Sequence, residues 1–136
     1  MNINDELNNI KKVLVIEEVE DDNSLRKVMH EKLSLEGFEV LEAKDGEEGL
    51  AIALEKHPDL ILLDIVMPKM DGVTMMKKLR KESEWGKQVP IILLTNLSKD
   101  DNELIEAVTE NEPSFFLVKS DHTMREIIEK IKNRLA

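Results

Sequence analysis

Four short apolar runs in this chain each end in a residue that can do chemistry. Leu60-Ile61-Leu62-Leu63 runs into Asp64, and Val13-Leu14-Val15-Ile16 runs into Glu17-Glu18. Ile91-Ile92-Leu93-Leu94 ends in Thr95, and Phe115-Phe116-Leu117-Val118 ends in Lys119. Runs this short, bounded by breakers such as His57-Pro58-Asp59 and Pro68, read as strands buried on both faces. A lone carboxylate is costly to bury, so Asp64 must meet water, a cation or a partner charge. In an open parallel sheet the ligand crevice lies at the carboxyl ends of the strands. If these four ends share one crevice, their crowded carboxylates repel unless a cation neutralises them. The simplest such cation is Mg²⁺, a hard ion held by few carboxylates with several waters retained. An aspartate, a metal, a hydroxyl and an ammonium around one point suit phosphoryl transfer. The aspartate is then the nucleophile, and the cations and donors stabilise the oxygens of the transferred group.

Each of these residues also has a plain structural reading. Asp64 could be a turn or helix-capping aspartate, but Asp71-Gly72 already supplies the turn and the helix start. Thr95 could be only a β-branched strand residue, Lys119 a snorkelling surface lysine, and Phe116, beside Phe115, plain core. Glu47-Glu48 and Lys77-Lys78 read as solvated helix faces. His30, His57 and His122 are scattered, with no metal-ligand spacing.

The elements that must position these groups are legible in the same pattern. Residues 1–10 read as an N-terminal tail, frayed or a short helical lead-in, and the domain runs from 11 to 136. After the first strand comes an acidic loop, then a helix over about 22–36 with Leu25, Val28, Met29 and Leu33 on one stripe, ended by Gly37. Phe38 to Ala43 is the second strand. Asp45-Gly46 turns the chain into a helix with Leu50, Ala51, Ala53 and Leu54 apolar, stopped by His57-Pro58. After the third strand, a helix over about 72–81 turns Val73, Met76 and Leu79 inward. Trp85-Gly86 falls in the following loop, at the amino end of the fourth strand, where Pro90 is tolerated. A helix over 100–110 and the fifth strand follow. Ser120 or Asp121 caps the last helix, whose apolar positions are Met124, Ile127, Ile128, Ile131 and Leu135. Alternating strands and helices mean an α/β fold, a parallel sheet with helices on both faces.

Bulk composition narrows the function. The chain has 136 residues, which suits one domain with a single core. It is 41% hydrophobic and 35% charged, as a globular protein is. A net charge of -10 argues against nucleic acid or an anionic membrane as a partner for this domain. It favours cations and basic partner surfaces. No cysteine is present, which excludes disulfides, thiolate catalysis and cysteine-based zinc sites. No apolar run approaches membrane-spanning length and the first nine residues lack a signal core, so a cytoplasmic location is expected.

In order along residues 11–136, the sequence strongly resembles the receiver domain of two-component response regulators. The matching pieces include Lys12-Val13-Leu14-Val15-Ile16-Glu17, Ala43-Lys44-Asp45-Gly46-Glu47-Glu48-Gly49-Leu50 and Pro58-Asp59-Leu60-Ile61-Leu62-Leu63-Asp64. Met67-Pro68-Lys69-Met70-Asp71-Gly72, Val89-Pro90-Ile91-Ile92 and Leu117-Val118-Lys119 continue the match. The resemblance implies a flavodoxin-like sheet ordered 2-1-3-4-5. It implies that Asp64 accepts a phosphoryl group from a histidine kinase or phosphotransfer protein with Mg²⁺. It implies metal ligands among Glu17, Glu18 and Asp21, with Asp64 and the carbonyl of Val66. Thr95 and Lys119 then engage the phosphoryl group, and Phe116 holds the aromatic switch position. Phosphorylation would shift the face of the 100–110 helix, the fifth strand and the last helix to change binding of a downstream protein. The only catalysis implied is the domain's own phosphorylation and dephosphorylation. The chain ends with the last helix, so no output domain is expected.

Three departures bear on this expectation. The loop after the first strand is about three residues longer than the family's usual one. Glu17-Glu18 abuts the strand, while counting back from Leu25-Arg26 lands the acid pair on Glu20-Asp21. Ser120 replaces the usual proline after the lysine, so a trans Lys119–Ser120 bond is expected. Asn96 follows Thr95 where many receivers carry a smaller residue, which would narrow access to Asp64. The altered acid loop and Asn96 also suit a receiver-like interaction module that no longer takes phosphate. A flavin binder of similar fold ranks lower, because an acidic loop after the first strand repels a phosphate.

Overall fold

The structure is a computed structural model describing residues 10–18, 24–64, 70–95, 115–118 and 123–136, without the side chains of Thr95 and 115–118. Five parallel strands form one sheet: β1 (Lys12–Ile16), β2 (Glu39–Ala43), β3 (Leu60–Asp64), β4 (Ile91–Thr95) and β5 (Phe115–Val118). Their order is β2-β1-β3-β4-β5, the order the resemblance implied. The helices are α1 (Leu25–Leu35), α2 (Gly46–Lys56), α3 (Gly72–Glu82), a short α4 (Glu84–Gln88) and α5 (Met124–Leu135). The expected 100–110 helix lies outside the described residues.

The period of two along each strand divides the core into two layers. Leu14, Ile16, Ile61, Leu63, Ile91 and Leu93 point to one side, against Ala53 of α2 and Met75, Met76 and Leu79 of α3. Val13, Val15, Leu60, Leu62, Ile92 and Leu94 point to the other, against Leu25, Met29 and Leu33 of α1 and Ile127, Ile128 and Ile131 of α5. All five residues of β3 are buried. Two sealed faces leave the strand ends as the places where polar groups can meet solvent, which is why the site sits there.

Local chemistry sets the helix starts, and it moves several of them from where the pattern pointed. Ser24 is extended and accepts the Lys27 amide at 3.2 Å, so α1 begins at Leu25 rather than near 22. Asp45 and Asp71 cap α2 and α3, each accepting an amide at 2.8 Å, from Glu48 and Thr74 respectively. In α2 the buried face is Gly46, Gly49 and Ala53, while Ala51 is exposed. Trp85-Gly86 belongs to α4, which Ser83 starts by accepting the Gly86 amide at 2.9 Å. The cap of α5 is Thr123, in a reciprocal capping box with Glu126, not Ser120 or Asp121.

Candidate functional site at the carboxyl ends of the strands

Asp64 is the last residue of the central strand β3 and is 7% exposed. Its neighbours follow from register. Ile16 stands opposite Leu63, so the next residue on each chain is Glu17 and Asp64. Adjacent strands lie about 5 Å apart, which brings these two backbone positions side by side. On the other flank Asp64 stands opposite Leu94, with Thr95 one step further on β4. Thr95 in turn stands opposite Val118, the residue before Lys119. Backbone topology thus brings Glu17, Asp64 and Thr95 to one edge of the sheet. Asp21, Val66, Lys119, Asn96 and Ser120 lie outside the described residues, and the side chains of Thr95 and Phe116 are not described.

The acids after β1 have different surroundings. Two adjacent glutamates could not both be buried without partners. The strand stops at Ile16, Glu17 is 3% exposed and Glu18 is exposed. The Glu17 amide still donates to Ala43 O at 3.0 Å, continuing the β1–β2 ladder. Its carboxylate accepts the Arg26 amide at 3.1 Å, in the first turn of α1. A helix start offers unsatisfied N–H groups and a positive dipole end, so a carboxylate there is stabilised. The Glu17 carbonyl accepts Arg26 Nη1 at 2.9 Å. Arg26 Nε donates to Glu42 Oε1 at 3.1 Å, and the other Glu42 oxygen lies 2.7 Å from His30 Nδ1. Arg26 and Glu42 were not among the residues the pattern singled out. An arginine on the first turn, beside an apolar stripe, reads in sequence as an ordinary helix charge.

The potential donors are oxygens throughout, chemistry that suits a hard divalent ion. Among the described residues, no cluster of three or more Asp, Glu or His stands ready to hold a metal.

Residues 13–132 match the family described as the response regulator receiver domain. The chain belongs to that family. The receiver is 47% identical over 88 residues to the "Probable transcriptional regulator ycf27" of Porphyridium aerugineum, covering 65% of this chain and 34% of that protein. It is 46% identical over 77 residues to the transcriptional regulatory protein CpxR of Klebsiella pneumoniae, covering 57% of this chain and 31% of CpxR. The receiver thus spans about a third of the length of the curated relatives it matches. Among solved structures it is similar to the Vibrio cholerae chemotaxis protein CheY4, with a TM-score of 0.79 and 28% identity over 91% of this chain and 98% of that one. It is also similar to the receiver domain of the Francisella response regulator 1452, with a TM-score of 0.77 and 27% identity over 92% and 96% of the two chains. Among the described residues, no helix is long and apolar enough to cross a membrane.

Proposed function

We propose that this receiver takes a phosphoryl group onto Asp64 from a phosphohistidine of a histidine kinase or phosphotransfer protein. The observation that carries the proposal is Asp64 itself: a carboxylate buried at the carboxyl end of the central strand, with Glu17 on one flank and Thr95 on the other. A carboxylate oxygen of Asp64 attacks phosphorus, the P–N bond to the donor imidazole breaks, and an acyl phosphate forms. The imidazole leaves with the electron pair and takes up a proton. Mg²⁺, held by Asp64, Glu18 or Asp21 and the Val66 carbonyl with Glu17 alongside, would supply charge neutralisation for the phosphoryl oxygens. Thr95 then donates to one phosphoryl oxygen, and Lys119 pairs with another. The new charge draws on Thr95 and Lys119, and Phe116, at the aromatic switch position, answers with a change in the binding of a downstream protein. The domain transforms no other substrate; it catalyses only its own phosphorylation and dephosphorylation. Its place of action is the cytoplasm, with neither nucleic acid nor membrane as a direct partner of this domain.

The test is incubation with acetyl phosphate and Mg²⁺, followed by intact mass. Wild type gains one phosphoryl group and Asp64→Asn gains none. Equal labelling of the Asn variant would move the acceptor elsewhere. Absence of labelling in wild type would favour the second reading, an interaction module that no longer takes phosphate, to which the carboxylate of Glu17 engaged on α1 lends some support.

A further inference from the structure

Arg26 is a cation only 8% exposed, on an element that the phosphoryl chemistry does not use. It joins three parts of the fold. Its amide binds the Glu17 carboxylate, its Nη1 binds the Glu17 carbonyl, and its Nε binds Glu42 on the edge strand β2. The Glu42 carboxylate is steadied in turn by His30 one helical turn along α1. These groups sit at the carboxyl end of β2, where Arg26, Glu42, Ala43, Lys44 and Glu48 line a recess of about 280 Å³. That is the same end of the sheet as Asp64.

The carbonyl of Glu17 belongs to the peptide that leads into Glu18. Holding it fixes the plane of that peptide, and with it the direction in which the chain leaves the sheet. The guanidinium is a rigid planar fork, so one side chain sets the Glu17 carbonyl relative to β2. We propose that Arg26 is a positioning residue for the acids that follow β1, and that this clamp sets the affinity of the receiver for a divalent cation. The proposal rests on the Mg²⁺-dependent reading above.

Charge and geometry predict opposite signs here, which makes the proposal sharp. A fixed cation beside the carboxylates at the end of β1 repels Mg²⁺. If Arg26 acted through its charge alone, removing it would tighten metal binding. If it positions the Glu17–Glu18 peptide, removing the fork weakens metal binding even where the charge is kept. Lysine keeps the charge but cannot span the Glu17 carbonyl and Glu42 together.

The experiment is calorimetric titration of Mg²⁺ into the full chain, for wild type, Arg26→Lys, Arg26→Gln, Glu42→Gln and Glu42→Ala. Thermal melts without metal and acetyl phosphate labelling accompany it. Arg26→Lys and Arg26→Gln should each bind Mg²⁺ about tenfold more weakly, the order of one lost charge-assisted hydrogen bond. Glu42→Gln keeps an acceptor for Nε and should stay within about threefold of wild type, while Glu42→Ala falls with the Arg26 variants. Wild-type affinity in Arg26→Lys, or tighter binding in Arg26→Gln, would overturn the proposal. So would lowered melting temperatures with unchanged affinities, the mark of a structural brace. If the Arg26 variants fail to fold, the Glu42 pair decides, since that side chain is one-third exposed on an edge strand. Equal affinities in the two Glu42 variants would then count against the clamp. A wild-type chain that binds no Mg²⁺ would bring down the metal-dependent reading and the clamp together, an outcome distinct from any in which only the variants disagree.

Discussion

The indole of Trp85 lies flat against the imidazole of His57, with ring centroids 4.3 Å apart and 11° between the planes. His57 closes α2 in the left-handed region, at φ 45°, with its amide donating to Ala53 O at 3.0 Å. Trp85 sits in α4, just before β4. Both rings therefore belong to the amino ends of β3 and β4. Asp64 is four residues further along β3 than Leu60, about 13 Å at the usual strand rise.

From that separation we expect Trp85 emission to change little on Mg²⁺ addition. His57→Ala should change it more than saturating Mg²⁺ does, because it removes the ring stacked on the indole. The measurement is a fluorescence titration of both proteins. Strong quenching by Mg²⁺ in wild type would put a metal at the opposite end of the sheet from Asp64.

Two glycines of α2 should respond differently to alanine, although helix propensity alone favours alanine within the helix by about 1 kcal/mol at Gly49. A methyl at Gly49 would meet the Ile16 Cδ1 at 2.5 Å, the end of a buried side chain. Rotation of that side chain absorbs part of the overlap, so Gly49→Ala should cost about 1–2 kcal/mol. A methyl at Gly46 would run into the backbone carbonyl of Met70. That backbone leads directly into Asp71, the cap of α3, and cannot move without it. Gly46→Ala should cost about 3 kcal/mol or more. Urea unfolding of the two variants checks the order. A smaller loss at Gly46 would show that the segment before α3 yields easily.

These contrasts show what the sequence carries and what it leaves to tertiary structure. Strands buried on both faces are legible because every residue in them is apolar, as in Leu60-Ile61-Leu62-Leu63. The polar strand ends are legible because each is the first residue that cannot be buried cheaply. Strand order is not in that pattern; it came from the resemblance, and the sheet bears it out. Short-range capping was partly readable. Thr123-x-x-Glu126 is a capping box in plain view, yet Ser120 and Asp121 competed for the same role. The pattern of α4 reads as loop because five residues with an internal glycine have little propensity of their own; Ser83 and packing against α3 hold it. The partner of Glu17 was the least legible, since it required knowing that the first turn of α1 meets the end of β1. Nothing in the spacing from Glu17 to Arg26 encodes that meeting.

That same contact decides the last expectation, which acids hold the metal. Glu17 has one carboxylate oxygen on the Arg26 amide and is nearly sealed from solvent. Losing its charge weakens the helix-terminal interaction, so Glu17→Gln should act mainly on stability, by about 1 kcal/mol. Glu18 is the exposed neighbour at the same strand end, so its carboxylate can reach an incoming ion at little desolvation cost. The rival is Asp21, reached by counting back from Leu25-Arg26, and it lies outside the described residues. Because α1 begins at Leu25 behind its Ser24 cap, the longer acid loop adds no turn to that helix at its start. Glu18 follows the end of β1 by two residues, and Glu17 between them is held on the β1–β2 ladder. We expect Glu18→Gln to lose more Mg²⁺ affinity than Asp21→Asn, measured by calorimetry on the full chain. A larger loss for Asp21→Asn would show that the metal follows the count from the helix, with Glu17 and Glu18 serving only to end the strand.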